Sequence, residues 1–134
     1  MNMKEVAVGI LFRDKTVLVG QRRRTSQYPL KWEFPGGKIE PGETPVDALI
    51  RELREELSVE ALPGKEFHRQ EWDYGDASYR VYYFLVSGFT GEPNNNTFEQ
   101  LAWLAPHELL QMDILDGNRE AVELLWQMFR RDPA

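Results

Sequence analysis

Residues 37–59 read GKIEPGETPVDALIRELREELSV, and this stretch decides the fold. Thr44 suits a helix N-cap and Pro45 the first helical position, so a helix is expected over 45–57. Asp47, three residues after Thr44, is an imperfect capping-box partner. At about 100° per residue, Val46, Leu49, Ile50, Leu53 and Leu57 form one apolar stripe that should face a core. Glu52, Glu55 and Glu56 fall together beside that stripe, with Ala48 on the same flank leaving room above the acids. Glu52 and Glu56 are like charges at i and i+4, a pairing that costs an isolated helix roughly 0.2–0.5 kcal/mol. A purely structural helix would more often carry Lys at one of them. A divalent cation removes the repulsion, because hard cations such as Mg2+ seek carboxylate oxygens. Such a cluster suggests polyphosphate chemistry. The plainer reading, a solvated acidic face, accounts for the glutamates but not for the adjoining Gly-Gly turn or for Arg51.

Just beyond the helix, Ser58 stands where a chain commonly turns to positive φ and favours Gly. Serine at that angle costs about 1–2 kcal/mol. Arg51 can reach Glu55 at i+4 or clamp Glu43 in the preceding loop; the alternative is an ordinary surface ion pair worth little.

Further out, the chain alternates short elements without repeats or linkers. Residues 4–12 and 16–21 read as strands joined by a turn at 13–15. Residues 27–30 read as a loop and 32–34 as a short extended piece, broken by Pro35-Gly36-Gly37. Residues 67–73 and 79–87 suit a hairpin turning at 74–78, since SYRVYYFLVSGF is rich in aromatic and β-branched residues. Residues 92–97, EPNNNT, are a mobile-loop candidate. A strand is expected over 101–104, a short helical turn at Pro106, and an amphipathic helix over 118–130 that carries Val122, Leu125, Trp126 and Phe129. The order is mixed α/β, with helices not strictly alternating with strands.

Composition narrows the function. The 134 residues suit one domain, 1–134, with one core. No apolar run of about 18 residues exists, so a membrane partner is not expected. The start of the chain does not read as a secretion signal. The absence of cysteine excludes disulfides and thiolate metal sites and fits a cytoplasmic location. A net charge of −6 argues against a nucleic acid polymer as partner. A small nucleotide remains compatible if Mg2+ and a few arginines meet its phosphates.

The central stretch resembles the Nudix box, G-x5-E-x7-R-E-U-x-E-E-x-G-U with U aliphatic. Gly37, Glu43, Arg51, Glu52, Leu53, Glu55, Glu56 and Val59 match it, and Ser58 departs from it. KEVAVGILFRD, QRRR, KWEFPGGKIEPGET and DGNREAV extend the resemblance to the MutT-type branch over nearly the whole chain. It implies a Nudix fold, an α/β/α sandwich around a mixed β-sheet. It also implies hydrolysis of nucleoside triphosphates to monophosphate and pyrophosphate, with 8-oxo-dGTP a frequent substrate. Cytidine or modified pyrimidine nucleotides are the alternative. Two further readings are a Nudix enzyme acting on dinucleotides or nucleotide sugars and a non-catalytic sensor domain; the sensor is disfavoured because all box glutamates are present.

By the same resemblance, Glu52, Glu55, Glu56 and the Gly36 carbonyl hold Mg2+, for which Mn2+ can substitute, and Glu52 doubles as general base. Gly37, Glu43 and Arg51 support the site. The family's further acid, outside the helix, falls in FEQLAW at Gln100, with Glu99 beside it; Glu99 is therefore a candidate ligand, or else an exposed strand-edge acid. Arg23, within the basic run 22–24, contacts the nucleotide, although such a run also serves as a solvated sheet edge. Asn118 matches the base-reading asparagine, since an amide both donates and accepts; its other role would be helix N-cap. Phe34 stacks on the base or packs. His68 and His107 lack ligand spacing. The protein is expected as a monomer or homodimer.

Overall fold

A computed structural model describes residues 3–131. Its centre is β1 (Met3–Arg13), which pairs on both sides. On one side it runs parallel to β6 (Ser78–Thr90), from Met3 opposite Ser78 to Leu11 opposite Val86. On the other it meets two partners in turn. Val6–Val8 pair antiparallel with β4 (Gly36–Lys38), and Phe12–Arg13 pair with β2 (Thr16–Gln21). Between these, the Gly9 N–H donates to the Pro35 carbonyl at 2.9 Å. β2 continues the sheet to β3 (Trp32–Glu33) and β7 (Gln100–Leu104), while β5 (Glu60–Asp73) closes the far edge against β6.

The alternation along β1 separates two cores. Ala7 and Leu11, with Tyr82, Phe84 and Val86 of β6, face α1 (Pro45–Leu57). Val8 and Ile10, with Val81 and Tyr83, face α3 (Arg119–Arg131), whose Ala121, Val122 and Leu125 are buried. A sheet covered on both faces is the α/β/α sandwich that the resemblance implies. α2 (Pro106–Leu109) is the short turn expected at Pro106 and packs beside α3. No described helix is long and apolar enough to cross a membrane.

Several expectations need correcting. The extended piece ends at Glu33 and the break falls at Phe34 and Pro35, whereas Gly36 and Gly37 open a strand of their own. β5 starts at Glu60 rather than residue 67, because Pro63 is accommodated by register shifts at 62–63, 63–66 and 66–68 rather than ending the ladder. The loop 92–97 is fastened to the end of α1: the Asn94 and Asn96 N–H groups donate to the Leu57 and Glu56 carbonyls at 2.8 and 3.0 Å. α1 is also rolled from the expected orientation. Val46 is exposed, whereas Ala48 is fully buried. Ala48, Glu52 and Glu56 form one i, i+4 row that points at the sheet edge, so two of the acids face inward. The 118–130 helix begins at Arg119, preceded by a 3-10 turn at Asp116–Asn118.

The ends of α1 follow local chemistry. The Thr44 hydroxyl accepts from the Asp47 N–H at 3.1 Å, with Pro45 in the first turn. At the other end Ser58 adopts φ 59° and ψ 34°, the left-handed terminus expected of it.

Candidate active site

Two glycines let a strand and a carboxylate share a small space. Gly36 has a φ of +151°, and a Cβ there would strike the Ala7 carbonyl and Val8 of β1. A Cβ on Gly37 would strike the Glu52 carboxylate. The pair thus seats β4 against β1 and leaves room for the acid row of α1 above it.

Glu56 Oε1 accepts from the Gly36 N–H at 2.9 Å. Burial pushes the Glu56 carboxyl up to about 8; the Gly36 hydrogen bond opposes the rise, and repulsion from Glu52, Glu33 and Glu55 adds to it. Burial also raises Glu52, opposed by Arg51, whose Nη1 donates to Glu52 Oε1 at 2.9 Å. Arg51 organises this end of the site. Its Nε and Nη2 fork onto Glu43 at 2.7 and 2.9 Å, Nη1 also reaches Glu55 at 3.3 Å, and Nη2 donates to the Lys38 carbonyl at 3.0 Å. The fork holds the Glu43 carboxyl down to about 2, helped by the Glu40 N–H. Arg51 is therefore the centre of a network rather than half of a lone surface pair.

Beside the acids opens a cleft of about 690 Å³. Gly36, Gly37, Glu56, Arg23, Phe34 and Asn118 all line it. Arg23 is exposed, with its Nε donating to the Thr97 carbonyl at 2.7 Å. Asn118 is buried; its Oδ1 accepts from the Phe34 N–H at 3.2 Å and its Nδ2 donates to the Tyr83 hydroxyl at 3.1 Å. It caps no helix with that side chain, and one N–H and one lone pair of the amide remain for a ligand. The Phe34 ring is only 3% exposed and meets Tyr83 edge-on, so packing occupies most of its surface.

Glu52 and Glu55 lie outside the cleft lining, held by Arg51. Glu99 is turned away, accepting from the Arg24 N–H at 3.2 Å, and Gln100 donates to Gln21. Among the described residues no three acidic or histidine side chains converge as a ready cation cage. The donor set nevertheless fits a hard cation: three carboxylates on successive turns repel one another, and the most buried is pushed toward its neutral form. His68 pairs with Glu120 at 2.9 Å and His107 lies against Trp126, both away from the acids.

Several other lining residues carry only weak signals in the sequence. Glu33 faces the cleft next to Arg22, which donates to it at 3.1 Å, and burial raises its carboxyl. The apolar–charged–apolar pattern Trp32-Glu33-Phe34 is its sequence signal, an acid set between two buried aromatic residues. Tyr28, Trp72, Tyr74 and Tyr79 also line the cleft. Their signal was the aromatic density of EWDYGDASYR, although nothing local says that this hairpin meets residue 28.

The NUDIX domain family matches residues 3–125 of the chain. The CTP pyrophosphohydrolase of Escherichia coli (strain K12) is 33% identical over 134 residues, covering 100% of this chain and 99% of the relative. The 8-oxo-dGTP diphosphatase of the same organism is 32% identical over 126 residues, covering 93% and 98%. Among solved structures, the E. coli ORF135 protein superposes with a TM-score of 0.86 at 33% identity, covering 100% of this chain and 96% of that one.

Proposed function

The chain belongs to the Nudix hydrolase family and is a pyrophosphohydrolase of that family, and we propose that it cleaves nucleoside triphosphates to monophosphate and pyrophosphate with Mg2+, taking oxidised guanine nucleotides such as 8-oxo-dGTP by preference. The observation that carries the reaction is the inward acid row. Glu56, which lines a nucleotide-sized cleft, is pushed up to about 8, and Glu52, one turn away on the same helix row, is raised as well. Hydrolysis at phosphorus needs charge neutralisation and a positioned water more than covalent chemistry. Glu52, Glu55, Glu56 and the Gly36 carbonyl would hold the divalent cation, which when bound neutralises phosphate charge. Glu99 joins them only if Arg24 releases it. Glu52 accepts the proton of the attacking water, a task that suits a carboxylate raised toward working pH. Arg51 orients Glu52 and Glu55 through its charge-assisted bonds. Arg23 meets the nucleotide at the exposed rim. Asn118 reads the base edge with its remaining donor and acceptor.

The base has a second reading. The relative named for CTP hydrolysis is matched over the full length of this chain, which favours cytidine nucleotides. Pyrophosphate release from 8-oxo-dGTP, dGTP, CTP and dCTP with Mg2+ separates the two. A kcat/KM highest for 8-oxo-dGTP supports the guanine reading, and one highest for CTP or dCTP replaces it. Glu52→Gln, which keeps the shape and loses the basic oxygen, should lower kcat by 100-fold or more at unchanged melting temperature, by the scale of general-base losses of about 10²–10⁴. Near-normal turnover in that variant removes Glu52 from the role of base.

A further inference from the structure

Part of the cleft wall is aromatic, and its rings come from separate parts of the chain. Tyr28 lies in the β2–β3 loop, Trp72 ends β5, Tyr74 sits in the β5–β6 turn and Tyr79 begins β6; all four line the cleft. Tyr74 is their hub. Its ring centroid lies 4.9 Å from Tyr28, 6.3 Å from Trp72 and 5.7 Å from Tyr79. Trp72 is 38% exposed, so its ring keeps free surface.

Tyr28 is held there at a cost. It adopts φ 51° and Leu30 adopts φ 63°, the left-handed region that bulky residues avoid. The loop imposes this by internal bonds: the Arg22 N–H donates to the Lys31 carbonyl at 2.8 Å, the Leu30 N–H to the Arg22 carbonyl at 3.0 Å, and Arg22 Nε to the Gln27 carbonyl at 2.8 Å. The Tyr28 hydroxyl then donates to Asp76 Oδ1 at 3.2 Å, closing the loop onto the β5–β6 turn. Strain retained at a cleft points to use there.

The hub also reaches the buried amide. The Tyr74 hydroxyl accepts from the Gly117 N–H at 2.8 Å, and a Cβ on Gly117 would lie 2.5 Å from that hydroxyl. Gly117 precedes Asn118, and its carbonyl accepts from Tyr83, the residue that Asn118 itself contacts. Phe34, by contrast, has too little free face to stack on anything.

Resting on the triphosphate reading above, we propose that Tyr28 and Trp72 form the stacking surface for the nucleobase, and that Tyr74 is a positioning residue that sets the Asn118 turn through its hydroxyl. Stacking recognises any planar base, so the wall supplies affinity while the turn supplies choice.

Steady-state kinetics on the preferred triphosphate test this, alongside binding of a nucleoside 5′-monophosphate and of ribose 5-phosphate, which has no base. Trp72→Ala and Tyr28→Ala should each raise KM about tenfold, with a smaller fall in kcat, and Trp72→Phe should recover most of the loss. Tyr74→Phe keeps the ring and loses the hydroxyl; it should narrow the kcat/KM ratio between guanine and cytosine triphosphates while its melting temperature stays close to wild type. Wild type should bind the monophosphate at least tenfold more tightly than ribose 5-phosphate, and Trp72→Ala should erase most of that difference. Unchanged KM in both alanine variants, or equal binding of the two ligands by wild type, overturns the stacking wall. An unchanged base ratio in Tyr74→Phe overturns the positioning role. A wild type that cleaves no triphosphate overturns the function proposed above, and the two binding measurements still decide the wall.

Discussion

Glu56 is an acid kept where its charge is unwelcome. Its folded carboxyl sits at about 8, while an unfolded chain holds it near the model-peptide value of about 4.3. Between those values the unfolded chain is ionised and the folded one is protonated. The unfolded state then binds fewer protons, so stability falls as pH rises across this window and levels off above it. In chelator, the melting temperature of wild type should therefore drop between pH 5 and pH 8 more than that of Glu56→Gln, which has no charge to bury. Mg2+ at pH 8 should restore wild type and leave the glutamine variant almost unmoved. Parallel melting curves for the two proteins in chelator would show that burial of Glu56 does not govern this window. Glu43 is displaced the opposite way, to about 2, because Arg51 faces it with two donors. The same helix-and-loop segment thus holds one acid charged and another neutral, and Arg51 stands on the side of the charged one.

At the scale of the element, α1 is defined by its two ends and by its roll. Ser58 carries the strain expected of a non-glycine left-handed terminus, but its hydroxyl also accepts from Asn96 Nδ2 at 2.9 Å. Removing the side chain relieves about 1 kcal/mol of strain and forfeits an exposed hydrogen bond of about 0.5–1 kcal/mol. Ser58→Gly should consequently raise stability by less than about 1 kcal/mol. Ser58→Ala, which keeps the strain and loses the bond, should lower it. Thermal melts of both variants check the order; an alanine variant at least as stable as the glycine one would mean that the left-handed strain does not matter there, and an alanine variant as stable as wild type would mean that the Asn96 contact does not. The roll has a different origin. Periodicity alone puts Val46 in the apolar stripe, yet docking on the sheet brings Ala48, Glu52 and Glu56 inward as one row. Gly37 makes this possible, because only hydrogen stands where the Glu52 carboxylate lies.

Across the whole molecule, the acid row is level with β4 because α1 lies close to the sheet. Gly9, in the middle of β1, sets that depth: a Cβ there would stand 3.1–3.3 Å from Val86, Leu53 and Leu49. Gly9→Val should lift the helix, cost about 1–3 kcal/mol by overpacking, and lower kcat because the acids move with it. Melting temperature and kcat measured on one preparation check this, and a variant with both unchanged would show that Gly9 does not set the depth.

The sequence by itself determined the parts whose chemistry is local. The Thr44 cap, Pro45 and the left-handed Ser58 are effects within one turn, and Gly37, Glu43, Arg51 and the glutamates, by their match to the Nudix box, pointed to the candidate site before any packing was known. Residues 16–21, and the extended piece read over 32–34 of which 32–33 form β3, were legible because alternation and turn residues act over a few positions. Only the tertiary structure decided the rest, since it depends on segments far apart in the chain. The parallel pairing of β1 with β6 joins Met3 to Ser78, and no short-range pattern encodes it. The expected strand over 67–73 extends back to Glu60 because β6 carries the ladder past Pro63. Asn118 was legible as an amide in the right motif, whereas its bonds to Phe34 and Tyr83 needed two distant segments of the chain. The aromatic wall needed three segments to meet at Tyr74. Local sequence sets backbone angles and caps through neighbours a few bonds away; burial, helix roll and the shape of a cleft come from surfaces that touch only after the chain has folded.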